Sequence, residues 1–299
     1  MKKLLFIYNP HAGRGQARGK LAGILNSFAR SDCLTTVYPT QGPGDAAWAA
    51  RELAAGFDRV ACCGGDGTLH EVVDGLMSLP DEVRPPLGYI PTGTTNDYAR
   101  NLSLPREMED MAALAASGTP RPVDVGRLEG EHFIYVAAFG AFTSVAYDTP
   151  QQFKNMFGHL AYVLKGVAEV ANLKSYHLRL EHDGGVLEGD YLFGMVSNTI
   201  SVGGILGLPA EEVVLDDGLL EAVLVEMPRT MMELNNAIFA LARHEYSEGS
   251  GVIGLHSRHF HISCAEPVPF TLDGEFGGEH QEADIDAVHV PMKIVYGEG

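Results

Sequence analysis

Residues 64–68, Gly-Gly-Asp-Gly-Thr, form an acidic, glycine-rich turn between an apolar strand-like run (59–63) and a helix-like run (69–76). Glycines at such a junction let backbone amides approach an anion, and the helix N-terminus adds partial positive charge. Asp66 places a carboxylate beside the phosphate position, which is useful mainly when a divalent cation bridges the two. The turn therefore predicts a nucleotide–magnesium site, with an ordinary strand-to-helix turn as the alternative.

Three further loops could complete this site. Residues 93–97 combine a glycine amide with the hydroxyl of Thr94, which suit phosphate or ribose contacts, and Asp97 could brace a neighbouring turn. A plain helix cap explains the same residues without a ligand. Loops 9–13 and 40–46 are the remaining candidates for contact with a nucleotide.

Glu275, in the turn after the strand-like run 269–272, is the best candidate for acid–base chemistry. An alcohol that attacks a γ-phosphate must lose its proton, and a positioned carboxylate is the usual acceptor. An exposed hairpin turn explains the same sequence without catalysis.

Asp217, with the backbone carbonyls of Val214 and Leu219, could hold a hard cation through oxygen ligands. Asp217-Gly218 is also a good turn dipeptide, so the local sequence leaves both interpretations open. His259 and His261 alternate with apolar residues, and we expect them to be surface histidines rather than metal ligands.

The first 122 residues alternate between strand and helix signals. Strands are predicted at 3–8, 35–38, 59–63 and 86–91, and helices at 16–29, 45–55 and 69–76. This alternation indicates a parallel sheet with helices on both faces, and ligand loops in such folds lie at the carboxyl ends of the strands. All four polar loops fall there. We therefore expect an α/β nucleotide-binding domain at 1–122, to which 290–299 could return.

Residues 123–289 are expected to form a second, β-rich sandwich domain. Strands are predicted at 123–128, 132–138, 177–182, 186–196, 219–225, 260–263 and 268–272, and helices at 151–172 and 230–243.

Composition narrows the possible partners and the compartment. The 21 basic and 39 acidic residues give a net charge of −18, which argues against a nucleic-acid-binding surface. The four cysteines have neither a paired nor a metal-binding spacing, so buried free thiols in a reducing, cytoplasmic compartment fit best. No uncharged stretch of the sequence is both long and apolar enough to predict a transmembrane helix.

Taken together, these residues resemble the diacylglycerol kinase catalytic-domain family of bacterial lipid kinases, which is related in fold to NAD kinases. The resemblance runs from Leu4 nearly to the C-terminus. It rests on an ordered set of motifs: Asn9-Pro10, residues 64–68 with Glu71, residues 93–97, Val123-Asp124-Val125-Gly126, Asn198 with Gly203-Gly204, Pro209-Ala210, Asp217-Gly218-Leu219 and Leu272-Asp273-Gly274-Glu275.

The resemblance implies an ATP- and Mg²⁺-dependent lipid kinase in which ATP and lipid meet in a cleft between the two domains. Glu275 would be the base that activates the lipid hydroxyl, and Asp66 would act near the catalytic Mg²⁺. The residues implied to bind ATP are Asn9, Thr40, Gly64, Gly65, Asp66, Gly67, Thr68, Leu69, His70, Glu71 and Thr94. A second, structural Mg²⁺ would sit at Val214, Asp217 and Leu219, and a supporting acidic network would comprise Asp97, Asp124 and Asp273.

His70 stands where the family often has Asn. A lipid substrate implies peripheral contact with a membrane surface, for which Lys154, Lys165 and Lys174 are candidates for a local basic patch, and the family suggests a possible homodimer. Two alternatives stay open. One is an NAD kinase, which shares the Gly-Gly-Asp-Gly-Thr turn. The other is a nucleotide-gated lipid-binding protein without phosphotransfer.

Overall fold

The computed structural model describes residues 1–94, 96–140, 174–199, 214–247, 249–290 and 292–297. Several features named above lie outside the described residues: the predicted helix 151–172, Thr95, Lys154, Lys165, Gly203-Gly204 and Pro209-Ala210. Lys174 is described, and its ammonium group lies 4.7 Å from the centre of the Tyr176 ring. No described helix is long and apolar enough to cross a bilayer.

The described chain divides into two compact units, Met1–Val123 with Val290–Gly299, and Asp124–His289. The first unit contains a sheet with strands β1 (Lys2–Tyr8), β2 (Cys33–Pro39), β3 (Arg59–Gly64), β4 (Leu87–Pro91), β5 (Pro120–Val123) and β15 (Met292–Val295). Its helices are α1 (Gln16–Arg30), α2 (Asp45–Leu53), α3 (Asp66–Met77) and α4 (Met108–Ser117).

The strands of the first unit lie in the order β2-β1-β3-β4-β15-β5, and only β5 runs antiparallel to its neighbour. The predicted parallel α/β arrangement is therefore confirmed. Every residue of β3 is buried, because this strand lies inside the sheet between β1 and β4. The ends of β1, β3 and β4 thus bring their following loops to one edge. Helix α4 was not predicted, although its alanine-rich sequence is typical of a helix.

The second unit contains strands β6 (Gly126–Leu128), β7 (Glu131–Phe133), β8 (Val136–Gly140), β9 (Tyr176–His182), β10 (Gly185–Ser197), β11 (Leu220–Glu226), β12 (Val252–Ser257), β13 (His259–Leu272) and β14 (Glu275–Ala287). Its described helix is α5 (Met231–Arg243), which begins one residue after the predicted position. The long strands β10 and β13 each pair with β8 along one half and with β9 along the other. The sheet therefore curls around one apolar core, which includes Phe139, Leu180 and Phe260.

Three strand predictions in the second half were wrong. The predicted strand 123–128 is two strands in different sheets, because at Asp124 the backbone leaves the first sheet and its amide donates to the Leu215 carbonyl. The predicted strand 132–138 is split into β7 and β8, because the amides of residues 134–136 bind a carboxylate. The predicted strands 260–263 and 268–272 are one strand, β13, with an irregular register between them.

Strands β12 and β14 were not predicted. β14 carries acidic residues along its exposed face, so its composition does not resemble that of a buried strand. It is held by its antiparallel pairing with β13, which is a tertiary rather than a local feature.

Candidate functional site

The turn after β3 is tied to the end of β4. The Gly64 carbonyl accepts hydrogen bonds from the Thr92 amide at 2.8 Å and from the Tyr89 hydroxyl at 3.3 Å. Burial raises the pKa of the Tyr89 phenol, and the Asp66 carboxylate raises it further, so Tyr89 stays a neutral donor. The two strand ends therefore hold the predicted phosphate turn in place.

The backbones of Gly65 and Gly93 approach one another closely. A Cβ at Gly93 would lie 2.7 Å from the Gly65 Cα atom and 2.6 Å from Asn96 Oδ1, so this position has room only for glycine. Asn96 closes the second loop, since its Oδ1 accepts from the Gly93 amide at 2.8 Å and its Nδ2 donates to the Gly93 carbonyl at 3.0 Å. The structure thus brings loops 64–68 and 93–97 together.

Helix α3 begins at Asp66, so its first turn contains the acidic residue of the motif. The Leu69 amide donates to the Gly65 carbonyl at 3.0 Å, and the amides before it lie at the helix N-terminus, where an anion is favoured. The Leu69 side chain is buried in the core, so its expected contribution to a nucleotide site is its backbone. The imidazole of His70 is also buried.

Asn9 joins the loop after β1 to this turn. Its Nδ2 donates to Thr68 Oγ1 at 3.2 Å, its Oδ1 accepts from the His11 amide at 2.9 Å, and its own amide donates to the Cys63 carbonyl at 2.8 Å. Burial raises the pKa of the Cys63 thiol to about 12, so it remains a neutral core residue.

The carboxylate of Glu71 is bound to the N-terminus of α2. Its Oε1 accepts from the Gly44 amide at 2.9 Å, and its Oε2 accepts from the Ala46 amide at 3.0 Å. Gly44 has a left-handed conformation with φ 80°, which a glycine adopts without strain. Glu71 therefore fixes loop 40–46 against α3.

The same loop is braced from inside. The Asp45 carboxylate accepts from the Tyr38 hydroxyl and from the Gln41 amide, both at 2.7 Å. Thr40 is buried, and its amide donates to the Tyr8 carbonyl at 3.0 Å.

In loop 93–97, Thr94 is exposed and Asp97 is half-buried, with its carboxylate 3.7 Å from the Arg100 guanidinium. All the predicted nucleotide residues therefore lie at the carboxyl ends of β1–β4 or in the first turns of α3.

In the second unit, the predicted base Glu275 follows a turn that Asp273 anchors. The buried Asp273 carboxylate accepts three backbone hydrogen bonds, from Ile134 at 3.0 Å, Tyr135 at 2.8 Å and Val136 at 2.9 Å. Its own amide donates to the Val136 carbonyl at 2.8 Å. The turn is thereby fixed to the start of β8, while Glu275 is exposed at the first position of β14.

The predicted cation ligands lie on a segment folded around Asp124. The Asp124 carboxylate is 3% exposed and accepts from the Gly218 amide at 2.7 Å. Burial raises its pKa, the Gly218 amide lowers it in part, and the carboxylates of Asp217 and Asp216 raise it further. Asp217 is exposed and accepts from the Leu219 amide at 2.9 Å. Arg258 is close enough to lower the pKa of Asp124 in part, so among the described residues the negative charge of Asp124, Asp216 and Asp217 is only partly balanced.

Sequence reasoning missed Glu221, a fully buried acid on β11 directly opposite Ser197 of β10. Among the described residues, neither oxygen of the Glu221 carboxylate has a hydrogen-bond donor in good geometry. The nearby backbone amides of Glu221 and Thr199 nevertheless lower the pKa of Glu221 in part. Burial dominates and raises the pKa of Glu221 to about 8. The available signal was a lone acid inside the apolar run 219–225.

The histidines of β13 pair with acids of β14. His259 Nδ1 lies 2.8 Å from Asp286 Oδ1, and His261 Nδ1 lies 2.7 Å from Asp284 Oδ1. Among the described residues, no group of three or more His, Cys, Asp and Glu side chains could hold a metal ion.

An α/β unit with a glycine-rich turn after its third strand, followed by a β-rich unit, is the fold shared by NAD kinases and diacylglycerol kinases. Residues 3–128 match the diacylglycerol kinase catalytic domain, and residues 137–291 match the YegS C-terminal NAD kinase beta sandwich-like domain. The chain belongs to the diacylglycerol kinase family and is a lipid kinase.

Individual relatives agree with this assignment. A diacylglycerol kinase of Bacillus subtilis (strain 168) is 37% identical over 93% of this chain and 91% of its own length. The crystal structure of a diacylglycerol kinase from Bacillus anthracis str. Sterne matches with a TM-score of 0.75 at 25% identity, covering 99% of this chain and 97% of that one. An NAD kinase from Archaeoglobus fulgidus, solved in complex with ATP, shares the fold at a TM-score of 0.58 and 14% identity, covering 99% and 94%.

Proposed function

We propose that this chain transfers the γ-phosphate of ATP, with Mg²⁺, to a hydroxyl of diacylglycerol or a related lipid. The observation that carries the proposal is the close approach of Gly65 and Gly93, which leaves no room for a Cβ at Gly93. Two loops rich in amides and hydroxyls thus meet beyond the carboxyl ends of β3 and β4, where α/β folds bind their ligands.

The nucleotide would be bound by the first unit. Amides at the N-terminus of α3 and the Thr94 hydroxyl suit its phosphates, and Asp66 suits a Mg²⁺ ion that neutralises charge on them. The residues proposed for the ATP site are Asn9, Thr40, Gly64, Gly65, Asp66, Gly67, Thr68, Leu69, His70, Glu71 and Thr94. Within this set, Glu71 has both oxygens engaged by backbone amides, so we assign it a positioning role through loop 40–46.

Glu275 would accept the proton of the lipid hydroxyl as that oxygen attacks the γ-phosphate. A general base needs a fixed position, and the three hydrogen bonds to Asp273, two residues earlier, supply it. Asp273 therefore belongs to the proposed acidic network as a support for the turn that presents Glu275, together with Asp97 and Asp124.

A second, structural Mg²⁺ fits the segment that carries Val214, Asp217 and Leu219. One carboxylate and two backbone carbonyls are hard oxygen donors, which Mg²⁺ prefers. The pKa of the neighbouring Asp124 is raised chiefly by burial and further by the carboxylates of Asp217 and Asp216, while Arg258 lowers it in part. A bound cation would offset the negative charge of these carboxylates and hold the segment around Asp124.

The lipid substrate places the protein at a membrane surface during turnover. The buried thiols of Cys33, Cys62 and Cys63 support a reducing, cytoplasmic location, and the family suggests a possible homodimer.

The test is transfer of label from γ-labelled ATP, with Mg²⁺, to lipids in mixed micelles. Diacylglycerol, phosphatidylglycerol, a sphingoid base and a polyprenol are offered separately, with soluble NAD as a further acceptor. The variants Glu275→Gln and Asp66→Ala are compared with the matched control Glu279→Gln, which changes an exposed glutamate further along the same strand.

Label in one lipid, lost in Glu275→Gln and Asp66→Ala but kept in Glu279→Gln, is the expected result. Label in NAD alone would instead favour an NAD kinase. Tight ATP binding without transfer to any of the acceptors would favour a nucleotide-gated lipid-binding protein.

A further inference from the structure

Three polar residues are completely buried where β10 ends beside β11. Ser197, Asn198 and Glu221 are each 0% exposed. Ser197 is the last residue of β10 and is paired with Glu221 of β11. Residues directly opposite one another in an antiparallel pair extend their side chains to the same face, with Cβ atoms about 5 Å apart. The hydroxyl of Ser197 and the carboxylate of Glu221 are therefore neighbours.

The face that carries this pair is not the apolar core of the second unit. Val196, Leu220 and Ala222, which flank the pair along the two strands, belong to that core. Because successive side chains of a strand alternate between the two faces of the sheet, Ser197 and Glu221 point away from it. A carboxylate buried on that side needs a partner other than the core.

The buried oxygen atoms at this place outnumber their donors. Among the described residues, no hydrogen bond reaches Ser197 Oγ, Asn198 Oδ1 or either carboxylate oxygen of Glu221. A buried polar atom without a partner costs free energy, so such atoms are almost always paired in native proteins. Adjacent atoms of this kind therefore indicate a bound partner.

The amide of Asn198 cannot rotate to supply a donor. Its Nδ2 donates to the Asp124 carbonyl at 2.7 Å and to the Leu215 carbonyl at 3.2 Å. Exchanging the two ends of the amide would set Oδ1 against two carbonyl oxygens, so these bonds fix its orientation. Asn198 Oδ1 consequently remains an acceptor.

The chemistry of these atoms calls for a positive charge. An ionised carboxylate and an amide oxygen only accept hydrogen bonds, and the single hydroxyl proton of Ser197 can serve one of them. Burial raises the pKa of Glu221, and the carboxylates of Asp217 and Asp124 raise it further, so negative charge is concentrated there. A water molecule would supply two protons but no charge. Carboxylate, amide and hydroxyl oxygens are hard donors, which Mg²⁺ and Ca²⁺ prefer.

We propose that Glu221, Asn198 and Ser197 bind a divalent cation at the end of β10. The site differs in its ligands from the structural Mg²⁺ proposed above, and it requires neither nucleotide nor lipid. Its donor set contains one acid and two neutral oxygens, which agrees with the absence of a three-membered His, Cys, Asp and Glu cluster from the described residues.

The proposed site is connected to the turn that carries Glu275. Ser197 also pairs with Val136 of β8, and the Val136 amide donates to the Asp273 carboxylate at 2.9 Å. A cation that fixes the end of β10 would therefore stabilise the start of β8, to which this turn is anchored.

The test is equilibrium dialysis of the full chain, freed of metal with a chelator, against Mg²⁺ or Ca²⁺ without nucleotide. We expect Glu221→Gln to bind one equivalent fewer than the unchanged protein, because glutamine keeps the size of the side chain but not its charge. The matched control Glu188→Gln, at an exposed glutamate of β10, should bind the same number of ions as the unchanged protein.

Ser197→Ala gives a milder variant of the same site. It removes one neutral donor and leaves the carboxylate, so it should weaken binding of the same ion about tenfold, a loss of the size seen when one supporting group of a metal site is removed. Unaltered affinity in Ser197→Ala together with unaltered binding in Glu221→Gln would overturn the proposal.

Thermal unfolding gives a readout that a purely structural glutamate would not produce. Without metal, Glu221→Gln should be at least as stable as the unchanged protein, since it removes a buried acid that has no donor among the described residues. Added cation should raise the melting temperature of the unchanged protein by several degrees more than that of Glu221→Gln. Equal shifts would overturn the proposal. So would no shift in the unchanged protein, because a proton on Glu221 or a water molecule would then fill the site.

The variant Asp217→Asn separates the two cation sites. It should lose the ion of the proposed structural site and keep the ion that Glu221→Gln loses. If Asp217→Asn binds as many ions as the unchanged protein while Glu221→Gln binds one fewer, the structural Mg²⁺ fails and the site at Glu221 stands. If the double variant loses no more than either single variant, there is one shared ion, and a separate site is overturned.

Discussion

The carboxylate of Glu71 and the amide of Gly44 are joined by a hydrogen bond of 2.9 Å, although they are 27 positions apart in the chain. The second oxygen of the same carboxylate accepts from Ala46, so a side chain of α3 caps the N-terminus of α2. A carboxylate near a helix N-terminus is also favoured by the helix dipole. Glu71 therefore connects helix α3, which begins at Asp66, to loop 40–46.

Glu71→Gln should therefore loosen loop 40–46. Glutamine offers one acceptor oxygen and turns an NH₂ group toward the other amide, so we expect a loss of about 1–2 kcal/mol in the free energy of unfolding. The Michaelis constant for ATP should rise. Chemical denaturation and steady-state kinetics measure the two effects. Glu52→Gln, at an exposed glutamate paired with its neighbour Arg51, should change stability by less than about 0.5 kcal/mol. Equal behaviour of the two variants would contradict the capping role.

Asp273→Asn should reduce both stability and turnover. Asp273 has φ 50°, a conformation that asparagine tolerates, so the backbone is preserved while the charge that receives three amides is lost. We expect unfolding to become easier by about 2–3 kcal/mol. We also expect a lower kcat with little change in the Michaelis constant for ATP, because the turn before Glu275 would move. A variant with full kcat would show that the turn does not position the base.

Gly93→Ala should weaken ATP binding. Its Cβ would lie 2.7 Å from the Gly65 Cα atom, so the two loops would have to separate. We expect at least a tenfold loss of ATP affinity in calorimetry, which corresponds to about 1.4 kcal/mol. Gly56→Ala is the matched control, since a Cβ there meets nothing within 4 Å and Gly56 lies outside the proposed ATP site. Comparable losses in the two variants would indicate a general effect of glycine replacement.

The stability contributed by His261 should depend on pH. The hydrogen bond that the His261 ring donates to Asp284 raises the pKa of His261 above its ordinary value of 6.5, burial opposes this in part, and the charges of Glu282 and Glu181 add to the rise. The proton is thus bound more tightly in the folded state, so the stabilisation is complete below about pH 6.5 and is lost as pH rises through the raised pKa.

His261→Asn should accordingly lower the free energy of unfolding at pH 5.5 by less than about 1 kcal/mol, because the pair is partly exposed to solvent. The difference from the unchanged protein should shrink by pH 9. His289→Asn, at an exposed histidine, serves as the control. Urea unfolding at several pH values measures the effect, and a difference independent of pH would rule out the linkage.

Much of the first unit could be predicted from local signals. The apolar run before residues 64–68, the helix signal after them and the recurring polar loops each report on a short stretch of chain, so the strands β1–β4 and helices α1–α3 were recognised. In the second unit, β14 was not predicted because its many acidic residues are as typical of an exposed loop as of a strand. Only its pairing with β13 makes this segment a strand. The two pieces of β13 looked separate because residues 264–267 interrupt the apolar alternation.

The sequence by itself determined which chemical groups are present and where each lies along a strand or helix, including Asp66 after β3 and Glu275 after β13. Tertiary structure alone decided what these groups contact. Glu71 receives amides from a loop 25 to 27 residues away, and Asp273 receives amides from 137 to 139 residues away. Composition and periodicity describe neighbours in the chain, whereas a hydrogen bond depends on distance and direction in space, which only the folded backbone supplies.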